Sequence, residues 1–115
     1  PGRCVIELPA RDDLTQQHGF VHGGVVGMIA DSAGGYAGFT LMPADASVLT
    51  VEYKINMLAP AAGDLLIAIG EVLKPGRTLS IVRAEVFGVQ GDRRTRVAAM
   101  QQTLMVMHGV ADEKI

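Results

Sequence analysis

The sequence is poor in cysteine, in aromatic side chains and in excess charge of either sign. Cys4 is the only cysteine of 115 residues, which excludes an internal disulfide and fits a reducing compartment such as the cytoplasm. Tryptophan is absent, and the aromatic residues are three phenylalanines and two tyrosines. Basic residues cluster only in the segment 91–96, so the chain lacks the basic stripe and the stacking aromatics of a nucleic-acid-binding protein.

Apolar residues, by contrast, are plentiful for a chain of this length. They make up 49% of the sequence, against 19% charged residues. The length predicts a single domain spanning residues 1–115, and so small a domain leaves much apolar surface uncovered as a monomer. The composition therefore favours an oligomer that buries part of this surface. The chain begins at Pro1 and not at a methionine, which leaves room for a short missing N-terminal segment.

Hydrophobic periodicity predicts one helix and five strands. Residues 3–9 are typical of a short strand, and we expect the helix from His22–Gly24 to about Thr40, because this segment is apolar almost all round. From Ser47 onward the period changes to two, as in half-buried strands joined by short turns. Alternation in the second strand predicts one shared face for Leu49, Val51, Tyr53, Ile55 and Met57. One helix against a mostly antiparallel sheet is an α+β architecture.

An aspartate stands in the middle of the apolar helix. Asp31 follows the run from Val25 to Ala30, where a carboxylate without a polar partner would be costly to bury. The segment 23–42 has the length of a membrane span, yet Asp31 near its centre and the lack of flanking basic residues argue against one. The carboxylate either bonds a strand hydroxyl or the backbone as a structural group, or it takes part in chemistry.

Two glycines begin the same helix. The N–H groups of Gly23 and Gly24 point along the helix axis at its positive end, where a ligand carbonyl can approach them. The alternative is that these glycines only form a tight turn. Asp31 lies eight residues beyond Gly23, roughly 12 Å along a helix. If both groups act in one reaction, the site must combine two subunits, with an antiparallel partner helix bringing its own Gly23 level with Asp31.

The histidines before the helix invite a metal-site interpretation. His18 and His22 are four residues apart, but they precede the helix and lack the intervening glutamate of the zincin pattern. No cysteine pair or further histidine cluster offers additional ligands. We therefore expect no metal, and we interpret His22 as the residue that caps the turn.

The segments HGFVHGG, ADSAGGYA, VEYKINMLAPAAGD and KPGRTL together resemble the hotdog-fold acyl-CoA thioesterases of the PaaI type, a family named for phenylacetate degradation. The resemblance runs from the first strand to the last, and its strongest motif is HGG with an aspartate nine residues after the histidine. It implies a long helix wrapped by a five-stranded antiparallel sheet, dimers with a continuous ten-stranded sheet, and commonly tetramers. It also implies hydrolysis of an acyl-CoA substrate without a metal or redox cofactor.

The same resemblance implies roles for particular residues. The family's acidic residue, a nucleophile or general base toward the thioester carbonyl, corresponds to Asp31, and its oxyanion amide corresponds to Gly23 of the other subunit. The hydroxyl that helps to hold the water corresponds to Thr50, and Gln16 stands where many relatives carry an asparagine. The coenzyme A arm is expected along the turn after the third strand, at Lys74, Gly76, Arg77 and Thr78.

Simple alternation raises a difficulty for Thr50. It places this residue on the face opposite Leu49 and Val51. If those two side chains face the helix, Thr50 reaches Asp31 only near a strand irregularity or across the dimer.

Two other hotdog functions compete with thioester hydrolysis. The first is a non-catalytic protein that binds acyl-CoA as a sensor or carrier, although nothing here resembles the DNA-binding domain of a regulator. The second is a dehydratase or hydratase acting on acyl thioesters, which generally uses a catalytic histidine with an acidic partner. The HGG motif followed by Asp31 does not match that pattern. The sequence does not distinguish among arylacetyl, benzoyl-like and medium-chain groups as the acyl part of the substrate.

Overall fold

The computed structural model describes residues 1–9 and 20–109. A first strand is followed by the helix and then by four strands. Their bounds are β1 (Arg3–Pro9), α1 (Gly23–Phe39), β2 (Ser47–Met57), β3 (Leu65–Lys74), β4 (Leu79–Gln90) and β5 (Arg93–Met107). The predicted order of elements and the α+β class are confirmed.

The five strands form one antiparallel sheet in the order β1-β3-β4-β5-β2. Short turns join β3 to β4 and β4 to β5, and in the second of these turns Gly91 adopts a φ of 59°. The helix separates β1 from β2 in the chain, and the two strands lie at opposite edges of the sheet. Strand β2 pairs with β5 along one edge, and its other edge has no strand partner among the described residues.

Helix α1 packs on one face of this sheet through small side chains. Val26, Ile29, Ala30 and Ala33 are buried in a cluster with apolar residues of β3, β4 and β5. The helix backbone approaches β3 closely at Gly70, where a Cβ atom would overlap the Ala33 carbonyl oxygen. The fold therefore requires the absence of a side chain at this point of contact.

We expect Gly70→Ala to lower the free energy of unfolding by about 1–3 kcal/mol, because the added methyl meets rigid backbone. Gly35→Ala is the matched control, since a Cβ at Gly35 has no atom within 4 Å and alanine favours a helix over glycine. Thermal melting at equal protein concentration should show a lower Tm for Gly70→Ala and an unchanged or higher Tm for Gly35→Ala. A wild-type Tm for Gly70→Ala would contradict the close approach.

Strand β2 contains an irregularity in its pairing with β5. Thr50 pairs with Leu104, whereas Glu52 pairs with Thr103, so the register shifts between Thr50 and Glu52. Val51 is the extra residue in this stretch, as in a β-bulge, and a bulge changes which side chains face each side of the sheet.

The bulge overturns part of the predicted alternation. Leu49 and Val51 do not share a face with Tyr53 and Ile55. Leu49 is 52% exposed and Val51 is 54% exposed, whereas Ile55 packs against the core beneath the helix. Strict alternation was wrong here because one inserted residue reverses the faces of every residue after it. The irregularity allows Thr50 to face the helix together with Ile55.

Candidate active site

Asp31 and Thr50 meet where α1 crosses β2. The Thr50 hydroxyl donates a hydrogen bond of 2.8 Å to Oδ1 of Asp31, and both residues are half-buried. The contact lies within one chain and depends on the bulge described above. Of the two arrangements expected from the sequence, a strand irregularity or a contact across the dimer, the structure shows the strand irregularity.

Gln102 on β5 is a third member of this cluster. Its Nε2 group donates to Oδ1 of Asp31, to the Asp31 main-chain carbonyl at 3.3 Å and to the Thr50 hydroxyl oxygen at 3.2 Å. The side chain is only 1% exposed. Sequence reasoning missed Gln102, although a signal was present: strand alternation places it on the same face as the apolar Met100 and Leu104, where a polar residue is unexpected.

The two carboxylate oxygens of Asp31 have different surroundings. Oδ1 accepts hydrogen bonds from both Thr50 and Gln102. Oδ2 has no donor among the residues that the structure describes. The carboxylate borders an open pocket lined by Asp31, Ser32, Gly35, Tyr36, Phe39, Val48 and Thr50. Within the described part of the chain, Asp31 therefore has one carboxylate oxygen held by two donors and one without a donor.

Gly23 is the first residue of α1, and it is exposed. His22 caps the helix, because its Nδ1 accepts a hydrogen bond of 2.9 Å from the Gly24 N–H. The main-chain carbonyl of His22 accepts from Val25 and Val26. This pattern leaves the Gly23 N–H without an acceptor among the described residues, at the positive end of the helix dipole. The side chain of Met57 on β2 lies beside it.

A single chain does not bring Gly23 and Asp31 together. Both belong to one continuous helix, and eight residues of helix separate them by roughly 12 Å. A site that uses both groups therefore needs a second subunit, which stays a prediction.

One predicted site residue, Gln16, falls outside the described part of the chain, as does His18, which was considered above as a metal ligand. Gln16 and His18 both lie in the segment 10–19, of which the structure says nothing. Over residues 1–9 and 20–109, no group of three or more His, Cys, Asp or Glu side chains is arranged to hold a metal ion.

The predicted coenzyme A turn connects β3 to β4. Lys74, Gly76, Arg77 and Thr78 are all exposed. A Cβ at Gly76 would overlap the Leu79 carbonyl oxygen, so the tight turn requires glycine there. The Val106 N–H donates to the Thr78 carbonyl at 2.8 Å.

Strand β5 contacts both this turn and the cluster of Asp31, Thr50 and Gln102. Leu104 pairs with Thr50, and the bond to Thr78 is made two residues further along, roughly 7 Å in a strand. The turn therefore lies at the same end of the sheet as Thr50.

Among the described residues, no helix has both the length and the apolar character needed to cross a bilayer.

A family model for the thioesterase superfamily matches residues 18–95. The chain belongs to the thioesterase superfamily. The matched range includes Gly23, Asp31, Thr50 and the β3–β4 turn, and it ends before Gln102.

Curated relatives of this superfamily chain include a protein of Saccharolobus solfataricus named "Putative esterase". It is 36% identical over 90 residues, which cover 78% of this chain and 64% of that protein. A protein of the same name from Halobacterium salinarum is 33% identical over 90 residues, 74% of this chain and 59% of that protein. The chain thus spans less than two thirds of the length of either relative.

Solved structures confirm the hotdog fold. A thioesterase family protein from Silicibacter pomeroyi is 46% identical, with a TM-score of 0.93 over 95% of this chain and 80% of that chain. A Bacillus halodurans protein solved with CoA is 25% identical, with a TM-score of 0.83 over 90% of this chain and 66% of that chain. The PaaI protein of the Escherichia coli phenylacetic acid degradation operon is 22% identical, with a TM-score of 0.84 over 96% of this chain and 77% of that chain. At that identity, the likeness to PaaI shows the fold alone.

Proposed function

We propose that this chain hydrolyses an acyl-CoA thioester to a free acid and coenzyme A. The observation that carries the proposal is the Asp31 carboxylate, whose Oδ1 is held by Thr50 on a residue that lines an open pocket. Superfamily membership supports the reaction class. The structure of a related Bacillus halodurans protein with CoA supports the choice of thiol.

In the proposed reaction, the thioester carbonyl oxygen accepts a hydrogen bond from the Gly23 N–H of the partner subunit. This donor stabilises the negative charge that develops on the oxygen as the carbonyl carbon is attacked. Oδ2 of Asp31 either attacks that carbon itself or takes a proton from the water that does. The carbon–sulfur bond then breaks and the coenzyme A thiolate leaves, taking up a proton. On the first route, water subsequently hydrolyses the mixed anhydride.

The proposed assembly is a homodimer with two composite sites, itself paired into a homotetramer. Exposed apolar side chains on the helix side of the molecule support a subunit contact there. Met28 and Tyr36 on α1 are 56% and 60% exposed, and Tyr53 and Met57 on β2 are 48% and 52% exposed. The second support is the open edge of β2, because an exposed strand edge is a template for pairing with another chain.

Phosphate recognition in the proposal depends on the β3–β4 turn. We expect Lys74→Ala combined with Arg77→Ala to raise KM for acyl-CoA about fivefold with little change in kcat, because an exposed ion pair contributes on the order of 1 kcal/mol. The same variant should hydrolyse the N-acetylcysteamine thioester of the same acyl group at the wild-type rate, since that substrate has no phosphate. Equal losses on both substrates would contradict a role in phosphate binding.

The test of the proposed function is thiol release from a panel of acyl-CoA esters. The panel contains phenylacetyl-CoA, benzoyl-CoA and medium-chain acyl-CoA esters, and each reaction is followed with a thiol reagent against a no-enzyme blank. Turnover of at least one member supports thioester hydrolysis, and the preferred member identifies the acyl class. Binding of acyl-CoA without release of thiol would instead support the carrier or sensor function.

A further inference from the structure

The orientation of the Gln102 carboxamide is determined by its surroundings. Its Nε2 group faces three oxygen acceptors, namely Asp31 Oδ1, the Asp31 main-chain carbonyl and the Thr50 hydroxyl. An amide nitrogen donates and an amide oxygen only accepts. The reverse orientation would therefore place the Gln102 oxygen against a carboxylate oxygen and a carbonyl oxygen. The buried amide can satisfy this cluster in one orientation only.

The opposite side of the same carboxamide is unsatisfied. The Gln102 Oε1 atom is buried without a hydrogen-bond partner among the described residues. It lies against Gly34, where a Cβ atom would overlap it. A buried acceptor without a donor destabilises a fold, and an apolar side chain of the same size avoids that cost. The same replacement would also remove the three hydrogen bonds that Nε2 donates to Asp31 and Thr50.

We infer that Gln102 is a positioning residue for the hydrolysis proposed above, on which this inference rests. Together with Thr50 it holds Oδ1 of Asp31, so that Oδ2 is the oxygen directed at the thioester carbonyl or at its attacking water. Gly34 contributes by leaving room for the amide to adopt this orientation. The buried amide thus stabilises one orientation of the reacting group.

Gln102→Met tests this role, because methionine has a similar length and shape but no N–H donor. We expect kcat to fall about 10- to 100-fold, since a small misplacement of a reacting group has effects of this size. KM should stay within about threefold of wild type, because the interaction affects the reacting atoms and not substrate binding. The Tm should stay within a few degrees of the wild-type value, because the loss of the hydrogen bonds to Asp31 and Thr50 is partly offset by the removal of the unsatisfied oxygen. Gln101→Met is the matched control, since Gln101 is exposed on the opposite face of the same strand.

Gly34→Ala tests the same role while retaining Asp31, Thr50 and Gln102. The added methyl would displace the Gln102 amide, so kcat should fall as it does in Gln102→Met. In the double variant with Gly34→Ala and Gln102→Met, the alanine should cause no further loss of kcat. The alanine affects kcat through the Gln102 amide, which this variant already lacks. Such non-additivity in a double-mutant cycle indicates that two residues act together.

The outcomes separate this inference from the proposed function. If wild type releases thiol and Asp31→Asn does not, while Gln102→Met keeps the wild-type kcat, the positioning role is wrong and thioester hydrolysis stands. A drop in kcat that is matched by Gln101→Met, or additive losses in the double variant, would also overturn the positioning role. If wild type releases no thiol from any panel member, both the hydrolysis and the role of Gln102 are overturned.

Discussion

Asp31→Asn is expected to release thiol about 10²- to 10⁴-fold more slowly than wild type, the range typical of losing a general base. An asparagine amide is neutral, so it can neither attack the thioester carbonyl nor take a proton from water. The substitution preserves the shape of the side chain. Its amide oxygen can still accept the hydrogen bonds that Thr50 and Gln102 donate to Oδ1, so we expect the variant to fold.

Two further measurements make the Asp31→Asn result interpretable. The Tm of the variant should lie close to the wild-type value, and its Kd for the preferred acyl-CoA should change little, because substrate binding does not require the negative charge. Loss of thiol release with retained binding would identify Asp31 as the catalytic carboxylate. Wild-type activity in a folded Asp31→Asn protein would make Asp31 a structural residue.

Gly23→Pro is expected to lower kcat by about 10²- to 10³-fold, the usual effect of removing one oxyanion donor. Proline lacks the N–H group but is favoured at the first position of a helix. His22 already has a φ of −59° and a ψ of 137°, an extended conformation of the kind that a residue before proline adopts. The Gly23 N–H has no acceptor among the described residues, so its removal costs no hydrogen bond there.

Gly23→Ala is the control that separates the amide from the space around it. Alanine keeps the N–H, and its Cβ would lie 3.5 Å from Cε of Met57, an ordinary van der Waals distance. Its kcat should therefore fall far less than that of Gly23→Pro. Equal losses in the two variants would show that crowding, and not the missing donor, slows the reaction.

A mixed dimer tests whether the site combines two subunits. One subunit carries Asp31→Asn and the other carries Gly23→Pro, each with its own affinity tag, and the mixed species is purified through both tags. If each site uses Asp31 of one subunit and Gly23 of the other, one of the two symmetry-related sites stays intact. We then expect about half of the wild-type activity. A mixed dimer as inactive as either parent would contradict a site shared between two subunits.

Much of the fold could be predicted because local patterns specify it. The apolar segment from His22 to Thr40 predicted the helix that runs from Gly23 to Phe39, and the change to a period of two predicted the strands after Ser47. The cap at His22 was also expected, and its Nδ1 bonds Gly24. Such features depend on residues close together in the chain, so a linear sequence contains them.

Contacts between distant segments were harder to predict. The bulge at Val51 depends on how β2 aligns with β5, and no residue near it in the sequence predicts it. Gln102 is separated from Asp31 by 71 positions, and its amide touches the carboxylate only because β5 passes beneath the helix. For the same reason, the different surroundings of the two Asp31 oxygens could not be foreseen.

The amino-acid sequence by itself determined the order of elements, the single buried helix and the presence of a carboxylate within it. It also limited any joint action of Gly23 and Asp31 to two subunits, because the pitch of a helix sets their separation. Only the tertiary structure decided which groups hold that carboxylate. Strand register and the crossing of α1 over β2 and β5 bring Thr50 and Gln102 to Asp31, and both depend on packing between segments far apart in the chain.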